Sequence, residues 1–314
     1  MTASPGKPSY IDLWASGELL HRAQRAQETL RHCQLCPRAC GVDRLNAETG
    51  YCAAGAEPVV ASWASHPWEE PPISGTQGSG TIFFTHCTAR CLFCQNYPIS
   101  QLGVGRQVSN ERLAEMMLEL QSRECHNVNL VTATHFVPQI LAALTLAVAQ
   151  GLRLPLVYNS SGYETVETLR LLDGVVDIYL PDAKYADEAT ARRLSGFRGY
   201  VKANRAALLE MHRQVGDDLL LDERGIAFRG LIIRHMILPQ GLAGTSKVLE
   251  WIASELSPWV HVSLMSQYFP AHKAVGHPIL GRKISSAEYL DALESFDALG
   301  LERGWRQELC EAEV

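Results

Sequence analysis

Between residues 81 and 299 the chain alternates short, nearly unbroken apolar runs with longer stretches of helical periodicity, and this alternation constrains the fold more than any other feature. The predicted strands are 81–84, 127–132, 154–158, 176–180, 230–238 and 260–265. Helices are expected from Ser109 as N-cap to about Ser122, over 138–150 and 164–172, in two stretches through about Val215, and over 247–255. Ser285-Ser286-Ala287-Glu288 forms a capping box that opens a last helix towards Leu299. Strands that are apolar on both faces belong in a parallel sheet covered by helices. Six β-α units fall short of the eight of a closed barrel, and no long-period repeat stands out.

A chain of 314 residues, 46% of them apolar, can bury one barrel-sized core and carry an appended segment. The natural division is 1–80, a helix with a cysteine group and a Gly/Pro-rich loop, and 81–314, the β-α units with a terminal helix. A net charge of -6 gives no basic face for nucleic acid. No apolar run reaches the ~18 residues of a membrane span, and the first 30 residues lack the basic-then-apolar order of a signal peptide. A cytoplasmic protein with no membrane partner is therefore expected. Disulfides are rare in that compartment, and seven of the nine cysteines fall at metal-ligand spacings. Cys125, near a helix end, reads as a small buried residue, and Cys310 lies alone in an acidic tail.

The loop after the first apolar run reads Cys87-Thr88-Ala89-Arg90-Cys91-Leu92-Phe93-Cys94. Cysteines at this spacing can give three thiolates to three irons of a compact cluster and leave the fourth iron open. A structural zinc loop or three buried cysteines are the alternatives. Zinc is disfavoured because the loop holds no fourth ligand. The pattern C-x3-C-x-aromatic-C, with Phe93 at the aromatic position, resembles the signature of the radical S-adenosylmethionine (SAM) superfamily. The resemblance implies an open, partial (β/α)6 barrel, to which the six strands conform. It also implies a 4Fe-4S cluster on Cys87, Cys91 and Cys94 whose open iron binds SAM, and reductive cleavage of SAM to a 5'-deoxyadenosyl radical that abstracts hydrogen from a substrate.

Towards the N-terminus, residues 1–9 are polar and expected to fray. Ile11, Leu13, Trp14, Leu19, Leu20, Ala23 and Ala26 then predict an amphipathic helix over 10–31. It leads to Cys33, Cys36, Cys40 and Cys52, spaced C-x2-C-x3-C-x11-C, which can close a zinc site or hold an auxiliary iron-sulfur cluster. Pro37 and Gly50 suit the tight turns of a small closed zinc site, and a cluster relaying electrons is the alternative. Over 60–80 the two prolines predict a loop without helix, and its glycines a backbone that approaches another surface closely. It lacks the Lys-Ser/Thr of a phosphate-cradling loop. Glu69 and Glu70 read there as solvated acids, with a place in the active site as the alternative.

Polar groups at the strand ends supply the remaining candidates, because barrels of this kind place their chemistry there. His135 follows the second strand and is a candidate catalytic residue, or else a hydrogen-bonded structural histidine. Pyruvate formate-lyase activating enzyme carries Gly-Gly-Glu here to hold the SAM amino group. In its absence Thr132, Thr134 or backbone carbonyls are expected to make that contact. Asn159 and Ser161, in Asn159-Ser160-Ser161-Gly162, are similar in position to a SAM-ribose stretch. Asp182 and Lys184 resemble the Asp-x-Lys turn of activating enzymes and are candidate catalytic residues, or a surface pair worth little. Arg234, in an apolar strand, needs a partner: the SAM carboxylate, or an internal salt bridge. Gln267 and Tyr268 lie on the loop expected to face substrate.

Residues 33–305 as a whole resemble an uncharacterised group of radical SAM proteins related to pyruvate formate-lyase activating enzyme and marked by the four-Cys segment. That resemblance implies an electron donor such as flavodoxin or ferredoxin. The substrate is then a small molecule or peptide, or the glycine of a partner glycyl-radical enzyme. The N-terminal segment, if it covers the cleft, favours a small substrate. A zinc-bound interaction module is the reading outside catalysis.

Overall fold

The computed structural model describes residues 7–309. The first six residues of the stretch expected to fray, and Cys310, lie outside them. The described residues form strands β1 (Val59–His66), β2 (Ser79–Phe84), β3 (Arg106–Gln107), β4 (Val128–Val131), β5 (Leu156–Ser160), β6 (Ile178–Pro181), β7 (Leu220–Leu221), β8 (Ala227–Met236), β9 (His261–Met265) and β10 (Gly304–Arg306). They make one sheet in the order β10-β9-β8-β6-β5-β4-β2-β1-β3, with β7 paired to β8. The six expected strands run parallel from β2 through β4, β5, β6 and β8 to β9. The protein is thus an α/β partial barrel of the expected kind.

Three features extend or correct the expectation. β10 adds a seventh parallel strand beside β9, too short to show periodicity. β1 pairs antiparallel with β2 inside the stretch expected to be loop. The one-turn helix α3 (Pro71–Ser74) follows, because proline is tolerated at the first helical position, where its missing N–H has no partner to lose. The N-terminal helix is two helices, α1 (Tyr10–Ala15) and α2 (Glu18–Glu28), broken at Gly17, whose φ of +80° a helix cannot continue through.

The remaining helices are α4 (Tyr97–Ser100), α5 (Asn110–Ser122), α6 (Val137–Ala149), α7 (Val166–Leu171), α8 (Glu188–Ser195), α9 (Tyr200–Val215), α10 (Thr245–Trp251) and α11 (Ser286–Ala298). Ser109 caps α5 and the Ser285–Glu288 box caps α11, as their sequences require. Thr165 caps α7, which leaves Glu164 outside that helix. Cys125 is buried. α2 packs against α6, so the N-terminal segment lies on the outer helical layer.

Most of the core lies between sheet and helices, and a smaller cluster fills the barrel interior: Ile73 against Val157, Ile178, Leu180, Ala227 and Ile232. Residues 67–78 therefore turn inward. Asn127 Nδ2 donates to the Ile73 carbonyl (2.8 Å), and Gly75, at φ +47°, passes so close that an added Cβ would lie 2.2 Å from Ile226 Cδ1. The close approach expected of this glycine-rich stretch is made against the barrel itself. No helix among the described residues is long and apolar enough to cross a membrane.

Candidate active site

The cysteine loop leaves the end of β2 and is pinned along its length. Arg90 and Leu92 N–H donate to the Ser195 and Leu194 carbonyls (2.9 and 2.8 Å), and Gln101 Nε2 donates to the Cys91 carbonyl (2.9 Å). Ala89 N–H points to Cys87 Sγ at 3.4 Å, and Cys94 Sγ lies 3.1 Å from Ser100 Oγ. Burial, with repulsion from neighbouring cysteines, pushes the Cys87 thiol up to about 12. Burial likewise pushes Cys91 up to about 11, against the opposing charge of Lys184. Two desolvated thiols, with a third cysteine, a backbone N–H and a cation beside them, suit a positively charged metal cluster, whose charge replaces their protons. The donor set fits the 4Fe-4S group that the spacing implies.

Cys91, Phe93 and Cys94 open onto a cleft of about 680 Å³, into which Asn159, Asp182, Lys184 and Arg234 also project. Asp182 is the hub of these charges. Lys184 Nζ lies 2.6 Å from its Oδ2, and Arg234 reaches its Oδ1 at 3.2 Å. Arg234 Nη2 also donates to Asn159 Oδ1 (2.8 Å), and its Nη1 lies 3.5 Å from Glu69 Oε2. Burial works against the charge on Asp182, but Lys184 and Arg234 outweigh it and hold the carboxyl below its usual range. Burial likewise opposes the ammonium of Lys184, and Asp182 more than restores it. The backbone fixes the pair: Ala183 N–H donates to the Arg234 carbonyl (2.8 Å), and Lys184 N–H donates to Tyr200 Oη (2.9 Å). His235 Nδ1 meets the Ala183 carbonyl at 2.6 Å.

Several sequence readings change here. Arg234 is engaged by three side chains, as an internal salt bridge requires, and it also lines the cleft. Glu69 and Glu70 are not solvated: α3 turns them into the cleft, where Glu70 is 8% exposed. Thr134 is buried and donates to Glu164 Oε1 (2.7 Å). Thr132 and Ser161 also stand apart from the cleft lining, while Asn159 reaches it. Gln267 lies at the cleft, but Tyr268 is buried, with Phe93 edge-on at 5.6 Å and its hydroxyl on the Leu280 carbonyl. The segment 305–307 at β10 lines the cleft as well, a contribution hidden by the shortness of that strand.

His135 lies elsewhere. It lines a small pocket with Cys33, Cys36, Cys40 and Cys52, and its Nε2–H donates to the Thr85 carbonyl (2.8 Å). Burial pushes this imidazole down to about 3, so it is neutral. Arg44, buried beside it, donates to the carbonyls of Gly55 and His135. Burial pushes the Cys36 thiol up to about 12 and raises Cys52. Among the described residues no group of three or more His, Cys, Asp and Glu is already placed to hold a single metal ion. Two guanidinium contacts join the cysteine segments: Arg38 Nε donates to the Thr88 carbonyl (2.7 Å), and Arg90 Nη2 to the Tyr51 carbonyl (2.8 Å). Among the described residues before 81, only the stretch 66–71 reaches the cleft, so the four-Cys segment does not cover it.

A parallel partial barrel with a three-cysteine loop at the mouth of a polar cleft defines a class, and comparison with known proteins agrees. Residues 81–219 match the radical SAM superfamily. The chain is also 30% identical over 305 residues to an uncharacterized protein of Methanocaldococcus jannaschii, a match that covers 94% of this chain and 81% of the relative. The chain belongs to the radical SAM superfamily. Membership brings SAM-dependent radical chemistry, with a 4Fe-4S cluster and SAM as cofactors and a need for an electron donor and a substrate.

Proposed function

We propose that the protein holds a 4Fe-4S cluster on Cys87, Cys91 and Cys94 and acts on a small molecule or short peptide bound in the adjoining cleft. The observation that carries the reading is the convergence of Cys91 and Cys94 with Asn159, Asp182, Lys184 and Arg234 on one cleft of about 680 Å³. When bound, the cluster and SAM supply a carbon radical able to abstract hydrogen. The chain's own work is then positional. Phe93, buried against Tyr268, keeps water from the cluster side. Asn159 and the Asp182–Lys184 pair present an amide, a carboxylate and an ammonium to the polar parts of SAM. Arg234 holds Asp182 and Asn159 in place, so it is a positioning residue.

The cleft volume, rather than an N-terminal cover, favours a small substrate over the loop of a partner glycyl-radical enzyme. The four N-terminal cysteines form a second metal centre in this reading, a zinc ion or an auxiliary cluster. What supports it is their convergence on one small pocket with Arg38 and Arg44. If that centre is a cluster, the Arg38 and Arg90 contacts that tie this segment to the Cys87–Cys94 loop favour an electron donor that delivers through this side. Cys87→Ala, Cys91→Ala and Cys94→Ala are each expected to abolish 5'-deoxyadenosine release from SAM under anaerobic reduction. Release at the wild-type rate in any of them would contradict the assignment.

A further inference from the structure

We infer that the floor of the cleft recognises an alkylammonium or guanidinium group of the substrate, with Glu70 as its acceptor; this names a substrate class for the proposed site and rests on that reading. Three carboxylates, Glu69, Glu70 and Asp182, and three cations, Lys184, Arg234 and Arg306, line the cleft. All three cations are already committed. Lys184 is 2.6 Å from Asp182, Arg234 is 3.2 Å from Asp182 and 3.5 Å from Glu69, and Arg306 pairs with Asp297 outside the cleft lining. The carboxylate left without a salt-bridge partner among the described residues is Glu70. It is 8% exposed, and its Oε2 is buried with no hydrogen-bond partner among the described residues.

A buried acceptor left unpaired costs about 1–3 kcal/mol, and more when it is charged, so a ligand that brings a donor recovers that free energy. A cation recovers most, because it also supplies the missing charge. Trp68, 85% exposed at the edge of the same cleft, offers an aromatic face to an entering cation.

The strand register brings this acceptor to the cleft from the floor side. His66 pairs with Ser79 at the start of β2, whereas Cys87 follows the end of that six-residue strand. Residues 69 and 70 therefore enter the barrel from the end opposite the cysteine loop, and Glu69 reaches Arg234 from that side (3.5 Å). A group held at Glu70 is accordingly met from the floor side of the Arg234 network, and a SAM titration separates a substrate amine from the amino group of SAM.

The test is calorimetric titration of the anaerobically reconstituted full chain with agmatine, with putrescine and with uncharged 1,4-butanediol, in wild type and Glu70→Gln. The substituted amide keeps the shape, and far-UV circular dichroism checks that the variant folds. At least one of the two amines is expected to bind and the diol not. Glu70→Gln should weaken the amine by about tenfold or more, as for a hydrogen bond to a charged group. Absence of amine binding, equal binding of the diol, or undiminished affinity in Glu70→Gln would each overturn the inference. A parallel SAM titration separates the two sources of the ammonium group. If Glu70→Gln loses SAM affinity and keeps amine affinity, Glu70 faces the cofactor and the inference fails. Wild-type release of 5'-deoxyadenosine together with no amine binding would sink this inference alone. Amine binding without any SAM cleavage would sink the radical reading instead.

Discussion

Arg234 shows how one side chain reads differently once its neighbours are in place. In sequence it is a cation in an apolar strand, and a bound carboxylate is a natural partner. In the fold its guanidinium contacts Asp182, Glu69 and Asn159, with 17% of the side chain exposed. Arg234→Ala leaves Glu69 without a cation and Asp182 with Lys184 alone. A loss of about 3–5 kcal/mol in urea unfolding is expected, as for a buried ion pair that loses one partner. A loss under about 1 kcal/mol would mean that the network is solvated. Glu164 carries a pH dependence. Burial pushes its carboxyl up to about 7, although the Thr134 hydroxyl donates to it. The folded protein therefore binds this proton more tightly than the unfolded chain does. The stabilising contribution is complete below the unfolded pKa near 4.5 and is lost as pH rises through about 7. Asp177, pushed up to about 6 by burial, acts in the same direction, so the difference between wild type and Glu164→Gln isolates Glu164. That difference should change by up to about 3 kcal/mol between pH 4.5 and 7.5. A pH-independent difference would show that Glu164 is not buried as an acid.

The segment 67–78 closes one end of the barrel and carries the acids that line the cleft floor. Its anchor is Ile73, fully buried among interior residues of β5, β6 and β8. Ile73→Ala should cost about 2–5 kcal/mol in urea unfolding, the range for a large-to-small change in a core. A negligible cost would mean that the segment does not plug the barrel. This element was the least legible part of the sequence. Pro71 and Pro72 read as helix breakers, but proline begins α3 without losing a hydrogen bond. The contact of Glu69 with Arg234 spans 165 positions, beyond any local pattern. The six parallel strands were legible because burial on both faces leaves unbroken apolar runs. The cysteine loop was legible because a cluster dictates the spacing of its ligands. His135 was misplaced because residue type alone cannot say which way a buried imidazole faces; it turns to the four-Cys pocket. Asn159, Asp182 and Lys184, read from their places at strand ends, do converge in the cleft.

Taken whole, the molecule sets two cysteine segments side by side, stitched by Arg38 and Arg90, with a polar cleft opening beyond the second. The catalytic reading requires the loop of Cys87, Cys91 and Cys94 to hold a cluster with one open iron, and that requirement is spectroscopically accessible. The direct measurement is electron paramagnetic resonance of the anaerobically reconstituted and reduced protein before and after SAM is added, with iron, sulfide and zinc determined on the same sample. The account predicts a 4Fe-4S signal that SAM perturbs, with about four irons and one zinc, or about eight irons if the four N-terminal cysteines hold a second cluster. A protein that binds only zinc, or a cluster signal indifferent to SAM, would contradict it.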